Sequence, residues 1–116
     1  MISVGGDHVV VRGLAVENVD RHGIVAWGKT GVQIIGNTIR GTRMGGIWVG
    51  HDVPGLTKNI LIERNVGTDT CRMNVARSLS GGWPAAVAAL NADGVTFRGN
   101  TVTKNYGEGP AQTASW

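Results

Sequence analysis

The 116-residue sequence predicts an all-β fold, a parallel β-helix of about four stacked coils, and three observations carry that prediction. A short apolar triplet recurs four times along the chain, and a tight turn follows each copy at one fixed offset. A Gly-containing step follows at a second fixed offset. The composition agrees: 19 Gly, one Phe, one Tyr and abundant Val, Ile, Thr and Asn make a strand- and turn-rich profile without periodic runs of helix formers.

The triplets are Val9-Val10-Val11, Val32-Gln33-Ile34, Ile60-Leu61-Ile62 and Val95-Thr96-Phe97, and each reads as a short strand. Two residues after each comes Gly13, Gly36, Arg64 or Gly99, and then Leu14, Asn37, Asn65 or Asn100. Ten residues beyond Leu14, Asn37 and Asn100 lie Ile24, Ile47 and Pro110, preceded by Gly23, Gly46 and Gly109. The triplets start 23, 28 and 35 residues apart. A five-residue insertion between Ile47 and Ile60, and a twelve-residue insertion between Asn65 and Val87, reduce all three spacings to one 23-residue module.

A module of that length, with short strands separated by Gly and Asn bends, fits a coil whose strands pair with their own copies above and below. Rungs then lie ~4.8 Å apart, and equivalent residues pile into ladders. Val9, Val32, Ile60 and Val95 are predicted to form one inward ladder, and Val11, Ile34, Ile62 and Phe97 another. Asn37, Asn65 and Asn100 are predicted to stack at the bend, where amides pair with one another and with turn backbone, and where Asn tolerates the left-handed conformation. Leu14 interrupts that ladder in the first coil; turn-forming Asn without a ladder is the plainer alternative.

Charge and cysteine content narrow the function. The 11 basic and 8 acidic residues are scattered, with no block that would mark a nucleic-acid partner. Cys71 is the lone cysteine, so neither an internal disulfide nor a Cys-based zinc site can form. It reads as a small buried apolar residue rather than a nucleophile. No stretch approaches the ~20 apolar residues of a membrane span, so no membrane partner is expected, and the start MISVGGDHVV lacks the segments of a secretion signal.

GVQIIGNTIRGTRMGGIWV and GVTFRGNTVTKNYGEG resemble the repeats of the right-handed parallel β-helix superfamily, which includes pectate lyase-like enzymes, pectinases and alginate epimerases. The same repeat also serves adhesins and phage tailspikes, so it is specific for fold and poor for activity. The resemblance implies a second strand seeded by Val16, Ile39 or Val102, then a variable loop, then the Gly-Ile strand. Val66-Gly67 departs from that pattern and predicts a weakened rung in the third coil. Met1 lies 23 residues before Ile24, which places it opposite Ile24. The closing PAQTASW falls where a fifth Gly-Ile strand is due, with Pro110 at its apolar position. The expectation is a single domain over 1–116, an uncapped segment of a longer β-helix that self-associates through its open end rungs. By resemblance it is extracellular or periplasmic.

The superfamily's enzymes work in a groove along the Gly-Ile sheet, which here presents Val25, Trp48 and Ala88 outward because Ile24, Ile47 and Val87 take the inward places. Both insertions border it, in GHDVPGLTK and in GTDTCRMNVARSLSGGWPA. Trp48 is expected to stand exposed in a cleft between them, and Trp27, Trp48 and Trp83 to contact a polysaccharide or oligosaccharide by stacking on sugar rings. For a lyase, His51 is the candidate base and Arg72 or Arg77 the cation that offsets developing charge; an epimerase would use His51 with Asp52. A solvated turn for His51 and Asp52, ordinary surface charge for the arginines and loop packing for the tryptophans are the bland alternatives. HDVP is not the Asp-Pro-His order of alginate epimerases, no calcium-binding run of acidic residues is visible, and no cofactor is specified. Two classes stay open: a carbohydrate-active lyase, hydrolase or epimerase, and a non-catalytic scaffold, adhesin or glycan-binding module. Mixed charges at Glu17, Asp20, Arg21 and His22 read as a wet surface with no assigned role.

Overall fold

A computed structural model of the chain describes residues 1–72, 85–106 and 108–112. Among them run thirteen strands, numbered in chain order, which sort into three parallel sheets by taking every third strand. Sheet A holds β1 (Ile2–Ser3), β4 (Ile24–Trp27), β7 (Ile47–Gly50), β10 (Ala85–Leu90) and β13 (Glu108–Gln112). Sheet B holds β2 (Val10–Arg12), β5 (Gln33–Ile35), β8 (Thr57–Glu63) and β11 (Ala92–Arg98). Sheet C holds β3 (Ala15–Val19), β6 (Thr38–Thr42), β9 (Val66–Thr70) and β12 (Thr101–Asn105). Every strand pairs with its counterpart one coil away, which is the parallel β-helix.

The register follows the predicted module. Val11 pairs with Ile34, Ile34 with Ile62 and Ile62 with Phe97, so the 23-, 28- and 35-residue steps all appear as neighbours in one sheet. Val11, Val32, Ile34, Ile60 and Ile62 are buried in one core, with Val9, Val95 and Phe97 packed against it. Sheet A contributes Ile24, Ala26, Ile47, Val49, Val87 and Ala89, and sheet C contributes Val16 and Ile39. β13 pairs with β10 with Pro110 opposite Val87, the position assigned to it from spacing.

Two register expectations are corrected. Ile2, not Met1, pairs with Ile24. Counting a constant module placed Met1 there, but strand side chains alternate, and only the one-residue shift turns Ile2 and Val4 toward the core instead of Ser3. The third coil is not weakened in its pairing either, since β9 runs a full five residues and pairs with both β6 and β12. Its deficit is in packing: Gly67 pairs with core Ile39, and a Cβ there would meet nothing closer than Thr70 Cγ2 at 3.9 Å.

The bend between sheets B and C holds a hydrogen-bonded amide ladder. Asn65 Oδ1 accepts from the backbone N–H of Asn37 at 2.9 Å and from its Nδ2 at 3.0 Å. Asn100 Oδ1 takes the same two bonds from Asn65. Each Nδ2 also donates to a carbonyl one coil back: Asn37 to Val11, Asn65 to Ile34, Asn100 to Ile62. The Leu14 N–H still donates to Asn37 Oδ1, but its own side chain is 44% exposed, so the ladder stops there as predicted.

The left-handed residue at this bend is the one before the asparagine, which corrects the expectation. Gly13, Gly36, Arg64 and Gly99 have φ of 66, 64, 52 and 63°. Two further columns share that geometry, five residues to either side: His8, Gly31, Asn59 and Gly94, and Asn18, Gly41, Asp69 and Lys104. These three columns recur in every coil, and further left-handed residues, among them Gly28, Gly50 and Asn91, lie outside them. Glycine recurs in the columns for space as well as conformation. A Cβ at Gly41 would stand 2.8 Å from Asn18 Oδ1, and one at Gly31 would overlap the His8 ring. A side chain in one coil therefore lies over a glycine in the next.

Candidate functional site

The outer face of sheet A is built from two columns. Val25, Trp48 and Ala88 are in register in one, and Trp27, Gly50 and Leu90 in the other. Alternation fixes this, because Ile47 and Val49 on either side of Trp48 are core residues. Trp48 and Ala88 form a cluster outside the main core, packed by Val25, Trp27 and Leu90.

Trp48 points outward as expected but is not exposed. It retains 9% of its surface, and the imidazole of His22 stacks on it with ring centroids 4.9 Å apart and planes 28° apart. His22 arrives from the segment joining sheets C and A. Its Nδ1 accepts from the Gly45 N–H at 3.0 Å, which leaves the proton of the neutral ring on Nε2. Burial lowers the His22 pKa from its ordinary value, and the charge of Arg21 acts in the same direction. His22 carried no role in the sequence reading. His22 lies one module before Gly45, but spacing alone does not mark it as cover for Trp48.

The second half of the face pairs Trp27 with His51, centroids 5.4 Å apart and planes tilted by 36°. Trp27 is half-buried. Close approach on this side is set by glycine: a Cβ at Gly28 would stand 3.0 Å from His51 Cδ2, and one at Gly50 would overlap the Leu90 backbone. His51 Nδ1 accepts from the Val53 N–H at 3.0 Å. The turn is tied to the next coil by Asn91, whose Nδ2 donates to the carbonyls of His51 and Asp52 at 3.2 and 3.1 Å. The Asp52 side chain lies exposed on that turn.

Of the two candidate cations, Arg72 is not placed beside His51. His51 follows the C-terminal end of β7, whereas the Arg72 N–H donates to Thr42, at the opposite end of the same rung. A four-residue strand separates those ends by about 13 Å. Arg72 is exposed and pairs with Asp69 at 3.8 Å, a contact of little energetic weight at the surface. Arg77, Trp83 and Met73 lie outside the described residues. Among the described residues no group of three or more His, Cys, Asp or Glu is placed to hold a metal ion.

A chain in which each coil returns three short strands to three continuous parallel sheets is a single-chain β-helix, and its surface site is an aromatic strip on one of those sheets. The family model described as the right handed beta helix region matches residues 1–114, and the chain belongs to that family. No match was found among curated proteins or among solved structures.

Proposed function

We propose that the outer face of sheet A is a glycan-contact surface, and that this chain is the binding segment of a carbohydrate-recognising β-helix protein. The observation that carries the reading is the pair of Trp–His contacts spanning the face, with Trp27 half-open to solvent. A flat ring with exposed surface stacks on the C–H face of a sugar, and His51 beside it can hydrogen-bond a hydroxyl through Nε2. Arg21, Arg43 and Arg72 are exposed along the segments joining sheets C and A, so an acidic polysaccharide with its carboxylates toward that edge fits best. The Trp–His contacts support binding and do not by themselves pair a base with a charge-neutralising cation for cleavage.

The test is titration with oligogalacturonate and oligomannuronate, followed by tryptophan fluorescence and by the ultraviolet absorbance of unsaturated uronide. The reading expects a saturable fluorescence change that Trp27→Ala removes while the far-UV spectrum is retained, and no unsaturated product. Accumulating product would replace it with the lyase reading.

A further inference from the structure

A second surface lies across the coil on sheet B. There the outward side chains of successive rungs are Gln33, Leu61 and Thr96, in register through the paired strands. Beside them runs the left-handed column of His8, Gly31, Asn59 and Gly94. That column alternates a side chain with a glycine. The His8 ring lies over Gly31, and Asn59 Oδ1 would stand 3.2 Å from a Cβ at Gly94. Alongside this column runs an open groove of about 450 Å³, walled by His8 and Asn59 and floored by Gln33, Leu61 and Thr96. That volume falls within the range of small-ligand sites.

The groove is lined by polar side chains and by no carboxylate, lysine or arginine. Two carboxamides, a hydroxyl and an imidazole surround one aliphatic side chain. The groove also offers no free strand edge, because every strand beneath it is paired along the axis except at the ends of the sheet. An extended peptide would gain no main-chain ladder here, so side chains must do the recognising. Gln33, Asn59 and Thr96 are exposed and, among the described residues, their side chains form no hydrogen bond, in contrast to the asparagines at the neighbouring bend. Amides that present a donor and an acceptor together suit vicinal hydroxyls, and Leu61 suits the C–H face of a ring. The rung spacing of ~4.8 Å is close to the length of one sugar residue in an extended chain.

We propose that this groove binds a neutral glycan, one sugar residue per rung, with its hydroxyls on Gln33, Asn59 and Thr96. It does not depend on the sheet A reading, which concerns another face and a charged ligand. The experiment is NMR titration of the whole chain with cellohexaose, following the side-chain amide signals of Gln33 and Asn59 and the indole N–H signals of Trp27 and Trp48. The expected result is saturable shifts of the two amides with the indoles unmoved, and affinity weakened about tenfold in a Gln33→Ala/Asn59→Gly variant. Asn59→Gly keeps the left-handed backbone without strain, and Gln33 is exposed, so the variant stays folded. Unmoved amides at the highest cellohexaose concentration would overturn the proposal. Equal shifts with hexagalacturonate would overturn its uncharged-ligand part, and indole shifts alone would assign the neutral glycan to sheet A.

Discussion

Two bends of the same coil, five residues apart, use asparagine in opposite ways. Asn65 sits just after the left-handed residue, is 2% exposed, and engages both side-chain heteroatoms with neighbouring coils. Asn59 occupies the left-handed position itself, is exposed, and leaves its amide to solvent above Gly94. The backbone turn is nearly the same in both places. What differs is the direction of the side chain: into the stack, where an unpaired amide is costly, or out of it, where water satisfies the group. One asparagine is there for the fold, and the other is free for a ligand.

The largest expected effect breaks the ladder. Asn65→Ala removes the side-chain acceptor of the Asn37 N–H, one of the two acceptors of Asn37 Nδ2 and a donor to the Ile34 carbonyl in a buried bend, and should destabilise the chain by about 3 kcal/mol or more in a denaturant melt. Asn59→Gly should change the same melt by less than about 0.5 kcal/mol. Equal losses would erase the distinction.

Arg64 is the one residue in its column that is not glycine. Its φ of 52° strains an L side chain, while its contact with Glu63 at 3.5 Å is largely solvated. Arg64→Gly is expected to stabilise by about 1 kcal/mol, read as a higher melting temperature. A smaller gain, about 0.5 kcal/mol, is expected from Leu14→Asn. Its Nδ2 would donate to Asn37 Oδ1 as that of Asn37 does to Asn65, extending the ladder by one rung.

The histidines make the same contrast. His22 is half-buried against Trp48 and disfavours its charged form, whereas His8 lies exposed over Gly31. Because the folded pKa of His22 is below its unfolded value, the unfolded chain takes the proton first, and stability falls as pH drops below about 6.5. The loss is complete once the pH is below the folded value. His22→Gln should flatten that part of the stability profile, and an unchanged profile would place the titration elsewhere.

Much of this was legible in the sequence, and the reason is redundancy. Four copies of the triplet fixed the strands, both insertions and the inward ladders, because each position was read against its copies. Reading failed where copies disagree or are few. Met1 was placed by counting a constant module, whereas the parity of Ile2 and Val4 decides the first coil. The column of His8, Gly31, Asn59 and Gly94 has no common residue type, so its shared backbone conformation shows only in three dimensions. Cover over Trp48 was invisible for a related reason: His22 reaches it from another segment, held by a hydrogen bond from the Gly45 N–H that no single ladder encodes.

The most direct test is hydrogen exchange of the side-chain amides. In 15N-labelled protein, the Nδ2 hydrogens of Asn37 and Asn65, which bond to carbonyl and amide oxygens of adjacent coils, should exchange at least about a hundredfold more slowly than those of Asn59 and Gln33. Exchange of Asn37 and Asn65 at the rate of Asn59 would contradict the ladder, and with it the stacking of coils from which every other assignment follows.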